Sequence, residues 1–416
     1  MKFNKWTTGL AAAGVISLAS AARAQDPANL VTAAVAGTSI SGYVDVSAQW
    51  NPGTGNANLP CYPFSAGKAD GFNLNVAQVS VAKPLDDSSW AAGFCVDLWL
   101  GPDAKTLGTS SYLGLANVAS DLAIRQAYVN LRTPLGSGGI YWKLGVFDTI
   151  IGSESLSSFK NPHYTRSYGF GLEPTTHTGL LATYEFGDFL DVSLGVANTI
   201  GPSINERAFP SPIPVTLPYG GPTVSLPLGG DRAESYKTYM GSVALKAPES
   251  FGFLAGSGLY AGVINGFGST AYETQTSWYV GSTLCTPVSG LKFGVAYDYL
   301  DIRNNNPDAW AVAFYTSIQA TEKLSFLARI EGVKYPDNSA FNAHAITFTT
   351  QYDLWQNLLS RIEVRWDHCE HGQLYGGTGP SFSDFGSVGD FVSALGGTPP
   401  NRENAFMVAA NLIYRF

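Results

Sequence analysis

Five histidines, His163, His177, His344, His368 and His371, are the side chains best suited to acid–base or metal chemistry near neutral pH. Two of them fall in His368-Cys369-Glu370-His371, where two imidazoles, a thiol and a carboxylate lie within four residues. A structural zinc site usually gathers ligand pairs from separate segments, so this run reads as the top of a strand entering a loop, and no metal is expected. A hydrolase would need a histidine beside a serine nucleophile, held by a third polar group. No histidine here has a serine two residues on, and neither catalysis nor a cofactor is expected. Of the four cysteines, Cys61 and Cys95 are the pair whose places in the chain allow a disulfide, whereas Cys285 and Cys369 belong at opposite ends of the molecule. The richer chemistry is charge. Arg361, Glu363, Arg365 and Asp367 alternate with Ile362, Val364 and Trp366, which puts four charges in a row on one face of an extended segment.

Such a row needs an element with one apolar and one polar face. The segment 39–50 shows the same period of two, with Ile40, Gly42, Val44, Val46, Ala48 and Trp50 against Ser39, Ser41, Tyr43, Asp45, Ser47 and Gln49. So does 310–320. A soluble sandwich could place four aligned charges only outside and a small barrel could not hold them inside, but a wide, water-filled lumen can. Sixteen segments of this kind are expected, at about 38–50, 72–83, 90–101, 122–133, 139–147, 178–186, 189–198, 236–246, 258–265, 274–284, 291–302, 309–320, 324–333, 344–353, 358–368 and 405–416. Most have the length of about ten residues that a tilted strand needs to cross a bilayer.

Connections and aromatics test that count. Every second connection is short, for example Gly187-Asp188, and the others include the long 51–71, 102–121, 148–177, 199–235 and 369–404. The fold class is therefore all-β: a transmembrane antiparallel barrel of about sixteen strands with short periplasmic turns and long extracellular loops. Outward-facing Trp50, Phe72, Tyr299, Trp310, Trp366 and Phe406 fall at one rim and Trp90, Phe186, Tyr414 and Phe416 at the other, as two interfacial girdles. The alternation slips at 76–79 and at 124–127, where a β-bulge would restore it.

Composition agrees. Charged residues make up 13% of the chain, against roughly 25% in ordinary soluble domains. Lys2 and Lys5, the apolar run Leu10 to Leu18 and Ala22-Arg23-Ala24 read as a cleaved signal peptide over 1–24. Its removal takes away Lys2, Lys5 and Arg23 and no acid, so the formal charge moves from −8 to −11, which argues against nucleic acid as a partner. A short periplasmic segment, 25–37, then precedes a single barrel domain, 38–416.

The region 124–198 resembles the OmpL-like β-barrel porin family of bacterial outer membranes. The resemblance is carried by IRQAYVNL at 124–131, IYWKLGVFDT at 140–149, IIGSES at 150–155, NPHYTRSYGF at 161–170, LEPTTHTGLLATYEF at 172–186 and LGVANTIG at 194–201. It implies an outer-membrane channel. The alternation that ends on Phe416 is similar to the C-terminal signal by which outer-membrane proteins engage the barrel-assembly machinery, and outer-membrane lipid is the surrounding partner. Trimers are common among porins of this size, so a homotrimer is an expectation.

Sixteen strands with a polar inner face favour passive diffusion of small hydrophilic solutes. The alternatives are a selective channel, for example for sugars, using Tyr43, Tyr141, Tyr260, Tyr279 and Tyr315, and a structural barrel with a plugged lumen. Arg125, Lys143, Arg329, Arg361, Glu363, Arg365, Asp97 and Asp298 are expected to line the pore. Inward acids and bases nearly balance, which leaves ion selectivity to the narrowest ring. That ring is assigned to the third extracellular loop, 148–177, folded into the lumen. Its Glu154 and Glu173 are expected to face Arg125, Lys143, Arg329 and Arg365, and its Lys160 and Arg166 to pair with wall acids.

Overall fold

The computed structural model of the chain describes residues 31–32, 37–53, 59–60, 68–111, 120–136, 138–208, 213–216, 223–226, 235–268, 273–303, 308–336, 342–377 and 400–416. Among them run sixteen long strands: β1 Ser39–Trp50, β2 Gly71–Lys83, β3 Ala91–Leu100, β4 Leu122–Thr133, β5 Ile140–Asp148, β6 Thr176–Phe186, β7 Leu190–Ala197 and β8 Thr238–Lys246. There follow β9 Gly258–Gly268, β10 Glu273–Cys285, β11 Leu291–Ile302, β12 Ala309–Gln319, β13 Leu324–Lys334, β14 Ala343–Trp355, β15 Leu358–Cys369 and β16 Asn404–Arg415. Each pairs antiparallel with the next, and β16 returns to β1 from Tyr43↔Arg415 to Trp50↔Val408. The sheet is a closed barrel, so no strand edge is left unpaired.

The period of two sorts the side chains. On β15, Ile362 and Val364 are exposed on the outside while Arg361, Glu363, Arg365 and Asp367 are buried on the inside. Val44, Phe314, Ile330 and Phe348 give other strands the same apolar outer surface. Trp50 and Phe72 meet edge to face at one rim, with ring centroids 6.1 Å apart. At the other rim Trp90, Phe186 and Tyr414 stand exposed. Among the described residues no helix is long and apolar enough to cross a membrane.

Register shifts occur in β4 where the alternation slips, in β2 one residue before the expected slip, and in β14 at Leu354, where none was expected. Asp45 faces Val76 and Val46 faces Leu74, so Asn75 is the extra residue of β2. Asp97 faces Gln126 and Leu98 faces Ile124, which makes Arg125 the extra residue of β4. A bulge re-aims the side chain it carries, and both Asn75 and Arg125 are buried inside the barrel. The signal segment, 1–24, lies outside the described residues.

Candidate functional site

The connection between β5 and β6 does not stand away from the barrel. It makes a 3-10 turn at Ser158–Lys160 and a short helix at Tyr168–Leu172, whose first turn is capped by Ser167 Oγ accepting from Phe170 N–H at 3.2 Å. Asn161 closes the bend before it, accepting from Ser155 N–H and donating to Ser155 O, each at 2.6 Å. Gly152 permits the return of the chain: its φ is +105°, and a Cβ there would lie 1.9 Å from Glu173 Oε2. The apolar side chains of the loop are buried in four separate places. Ile150 and Ile151 join Phe147, Leu181 and Ile264, whereas Leu156 and Phe170 join Tyr43, Val76 and Trp99. Tyr168 and Leu172 pack on Ala309, Ala311, Val333, Ala343 and Ala345, and Tyr164 on Met407 and Ala409. The inward alanines of β12, β14 and β16 supply the room that the loop occupies.

Polar groups of the wall hold the loop by its main chain. Glu363 accepts from Tyr164 N–H at 2.6 Å, Thr165 N–H at 2.9 Å and the hydroxyls of Thr165 and Thr349 at 2.6 and 2.7 Å. Arg361 donates to the carbonyls of Ser158 and Asn161 at 3.2 and 2.5 Å. Arg329 and Arg365 both donate to Arg166 O, and Glu331 accepts from Tyr168 N–H at 2.6 Å. From β1, Asp45 accepts from the Ser158 hydroxyl, and Ser47 Oγ lies 3.0 Å from the Tyr164 hydroxyl. Buried polar groups are costly when unpaired, and these contacts pair most of those at the junction of loop and wall, Arg166 Nε and Asp298 Oδ1 being exceptions.

The residues singled out in the sequence fall into three places. Arg329, Arg361, Glu363 and Arg365 point inward and are covered by the loop, each no more than 2% exposed. Arg329 bonds Glu154 at 2.8 Å, and Tyr315 donates to the same carboxylate at 3.2 Å. Glu173 and Asp298 meet carboxyl to carboxyl, so the expectation that Glu173 faces a wall base is corrected. Burial and this neighbour push Glu173 well above the usual carboxylate range. Among the described residues Arg166 likewise bonds no wall acid; its guanidinium donates to Leu156 O and Tyr164 O. Its charge is answered by main-chain carbonyls because the loop folds back on itself at that point. Lys160 makes no ion pair among the described residues and lies 5.8 Å over the Phe159 ring. On the opposite wall Arg125 bridges Asp97 at 3.2 Å and Asp148 at 2.5 Å, while Lys143 lies 5.2 Å over the Tyr128 ring.

Cys95 Sγ points at Asp97 Oδ1 at 3.6 Å; its candidate partner Cys61 lies outside the described residues, and so does their pairing. His344 and His368 face outward at the rim with their rings tilted at 48°, His368 stacks on Trp366, and among the described residues no group of three ligands fit for a metal occurs. Sequence reasoning missed the acceptor role of Asp45 and the loop-facing alanines. The alanines had a signal, since they occupy inward positions where polar residues are the rule.

Below the loop, toward the short turns, the lumen opens into a chamber of about 750 Å³. Ser157, Phe159 and Lys160 form its ceiling, with Tyr43, Gln78, Tyr128 and Asn130 on its walls. A closed barrel with a polar inner face and a loop laid across it is the geometry of a channel protein, and the sequence matches the family described as "Putative beta-barrel porin-2, OmpL-like" over residues 37–415. The chain belongs to this porin family. Its fold is shared with the anion-selective porin from Comamonas acidovorans (TM-score 0.55, 12% identity, 91% of this chain and 99% of that one). OmpF of Salmonella typhi, solved as a complex with daunomycin, is similar at a TM-score of 0.57 and 10% identity over 91% and 97% of the two chains. OmpT of Vibrio cholerae, solved in a trimer form, is similar at 0.52 and 14% identity over 91% and 99%. No curated protein matches the sequence significantly. A porin barrel of this family is an outer-membrane channel.

Proposed function

We propose that this porin lets small hydrophilic solutes diffuse passively through a lumen narrowed by the loop 149–175. The observation that carries the reading is the docking of that loop on the inward faces of β1 and β11 to β15 with a chamber left beneath it. Loops of this length in compact proteins are usually functional or disordered, and this one is buried and hydrogen-bonded. Channel function, with no enzymatic role, also fits histidines of which two meet at the outer rim, two are buried beside threonines, as His163 is beside Thr349, and one, His371, is exposed. The sugar-track alternative has less support: Tyr43 and Tyr141 border the chamber, whereas Tyr260, Tyr279 and Tyr315 line a separate, far smaller pocket.

In this reading residues 1–24 are removed on export from a Gram-negative cytoplasm, and Phe416 marks the strand that the barrel-assembly machinery engages. The trimer form of the Vibrio OmpT supports a homotrimer here as well. Single-channel recording of the purified protein tests the pore. Excising 153–170 is expected to raise conductance, and an unchanged conductance would place the narrowest section elsewhere.

A further inference from the structure

The chamber has a polarity that the sum of its charges conceals. Its lining acids fall into two groups. Asp97 and Asp191 are neutralised in ion pairs with Arg125 and Lys246, at 3.2 and 2.5 Å. Asp86, Asp87 and Asp188 lie exposed in the turns at the mouth, and Glu185 lies beside them at the end of β6. Charges in open water are screened over about 8–10 Å, so the mouth acids act weakly on a solute deeper in. The mouth cations are similarly placed: Lys83 ends β2, and Arg132 donates to the carbonyls of Asp86 and Ser88.

At the inner end the balance reverses. Arg125 with Asp97 and Asp148 leaves one net negative charge. Against it stand two ammonium groups with no carboxylate partner among the described residues: Lys160, which lines the chamber from the loop over the Phe159 ring, and Lys143, which stands beside the chamber over the ring of the lining Tyr128. Arg415 reaches toward the same Phe159 ring, at 6.0 Å. A narrow, low-dielectric passage focuses the field of such groups, and rings of charge set the selectivity of pores.

We propose that the channel prefers small anions, and that Lys160 at the inner end of the chamber and Lys143 beside it, over Tyr128, set this preference. The proposal rests on the pore reading above. It predicts more than a weak bias, because removing both ammonium groups leaves Arg415 balanced against the net negative charge of the Arg125 triad and should abolish the preference.

Reversal potentials of the full-length protein in planar bilayers under a potassium chloride gradient test it. The wild type should favour chloride over potassium, and Lys143→Gln with Lys160→Gln should bring the reversal potential to about zero. Lys323→Ala, in an exposed turn away from the chamber, should leave it in place. A wild type that favours potassium or neither ion overturns the proposal whether or not the double variant folds, as does a conducting double variant with an unmoved potential. A wild type that inserts and never conducts overturns the pore reading itself, and is distinguishable because no reversal potential can then be read.

Discussion

Glu363 takes four donors from three residues in the interior of the barrel, two of them main-chain N–H groups of the loop. Leaving a buried donor unpaired costs about 1–3 kcal/mol, so Glu363→Ala should free the loop while the strands stay paired. Trypsin checks this in detergent: Lys160 and Arg166 should resist cleavage in the wild type and be cut in the variant, and equal resistance would show that the loop is held otherwise. Glu173 gives a pH dependence. Its folded pKa is raised by burial and by Asp298. A raised acid contributes stability that is complete below its unfolded pKa of about 4.3 and is lost as pH rises through the folded value. Loop docking should therefore weaken from acid toward alkaline pH, and Glu173→Gln should flatten that trend in the same proteolysis assay. An unchanged trend in the variant would assign it to another group. These residues also mark where the sequence stopped being informative. That Glu363 faces inward follows from alternation with Ile362 and Val364, but the partner of Glu173 depends on where Gly152 turns the chain, which no periodicity encodes.

The strands were legible to within a few residues at either end because lipid outside and polar groups inside impose a period of two on every one of them. β9 is instructive: Tyr260 and Ile264 point inward with small residues between them, and the pattern fades before the strand ends at Gly268. The bulge in β4 was readable as two inward candidates in succession, and the one in β2 falls at Asn75, a residue before the expected slip. The closing pair of strands makes a further test. Gly42 and Phe416 exchange both main-chain hydrogen bonds, at 2.9 and 3.0 Å, and a Cβ on Gly42 would lie 2.1 Å from Gln78 O and 2.7 Å from the Phe416 ring. Gly42→Val should then cost about 1–3 kcal/mol by overpacking and lower the temperature at which the folded band is lost on unheated gels. Deleting Phe416 should reduce the yield of inserted barrel without changing export; full yield would show that the terminal aromatic is not used as an assembly signal.

For the whole molecule, order of formation follows from chain distance. The wall partners of the loop lie far along the sequence, Glu331 at 163 residues from Tyr168 and Glu363 at 199 from Tyr164. Contacts across such separations form late, so refolding into detergent micelles should show strand formation by circular dichroism before the loop becomes protease-resistant. Simultaneous acquisition of both would mean that the loop templates the wall. One more consequence lies in where the loop is fastened. β1 and β16 meet at a joint whose two sides come from opposite ends of the chain, and the loop grips β1 through Ser158, packs Tyr164 on β16 and is clasped by Arg361 of β15. In mechanical terms it is a cross-tie over the joint at which the cylinder would split. If the pore is as proposed, one segment carries both the width of the passage and the strength of the wall, and a variant bored wider by excision should burst at a lower temperature.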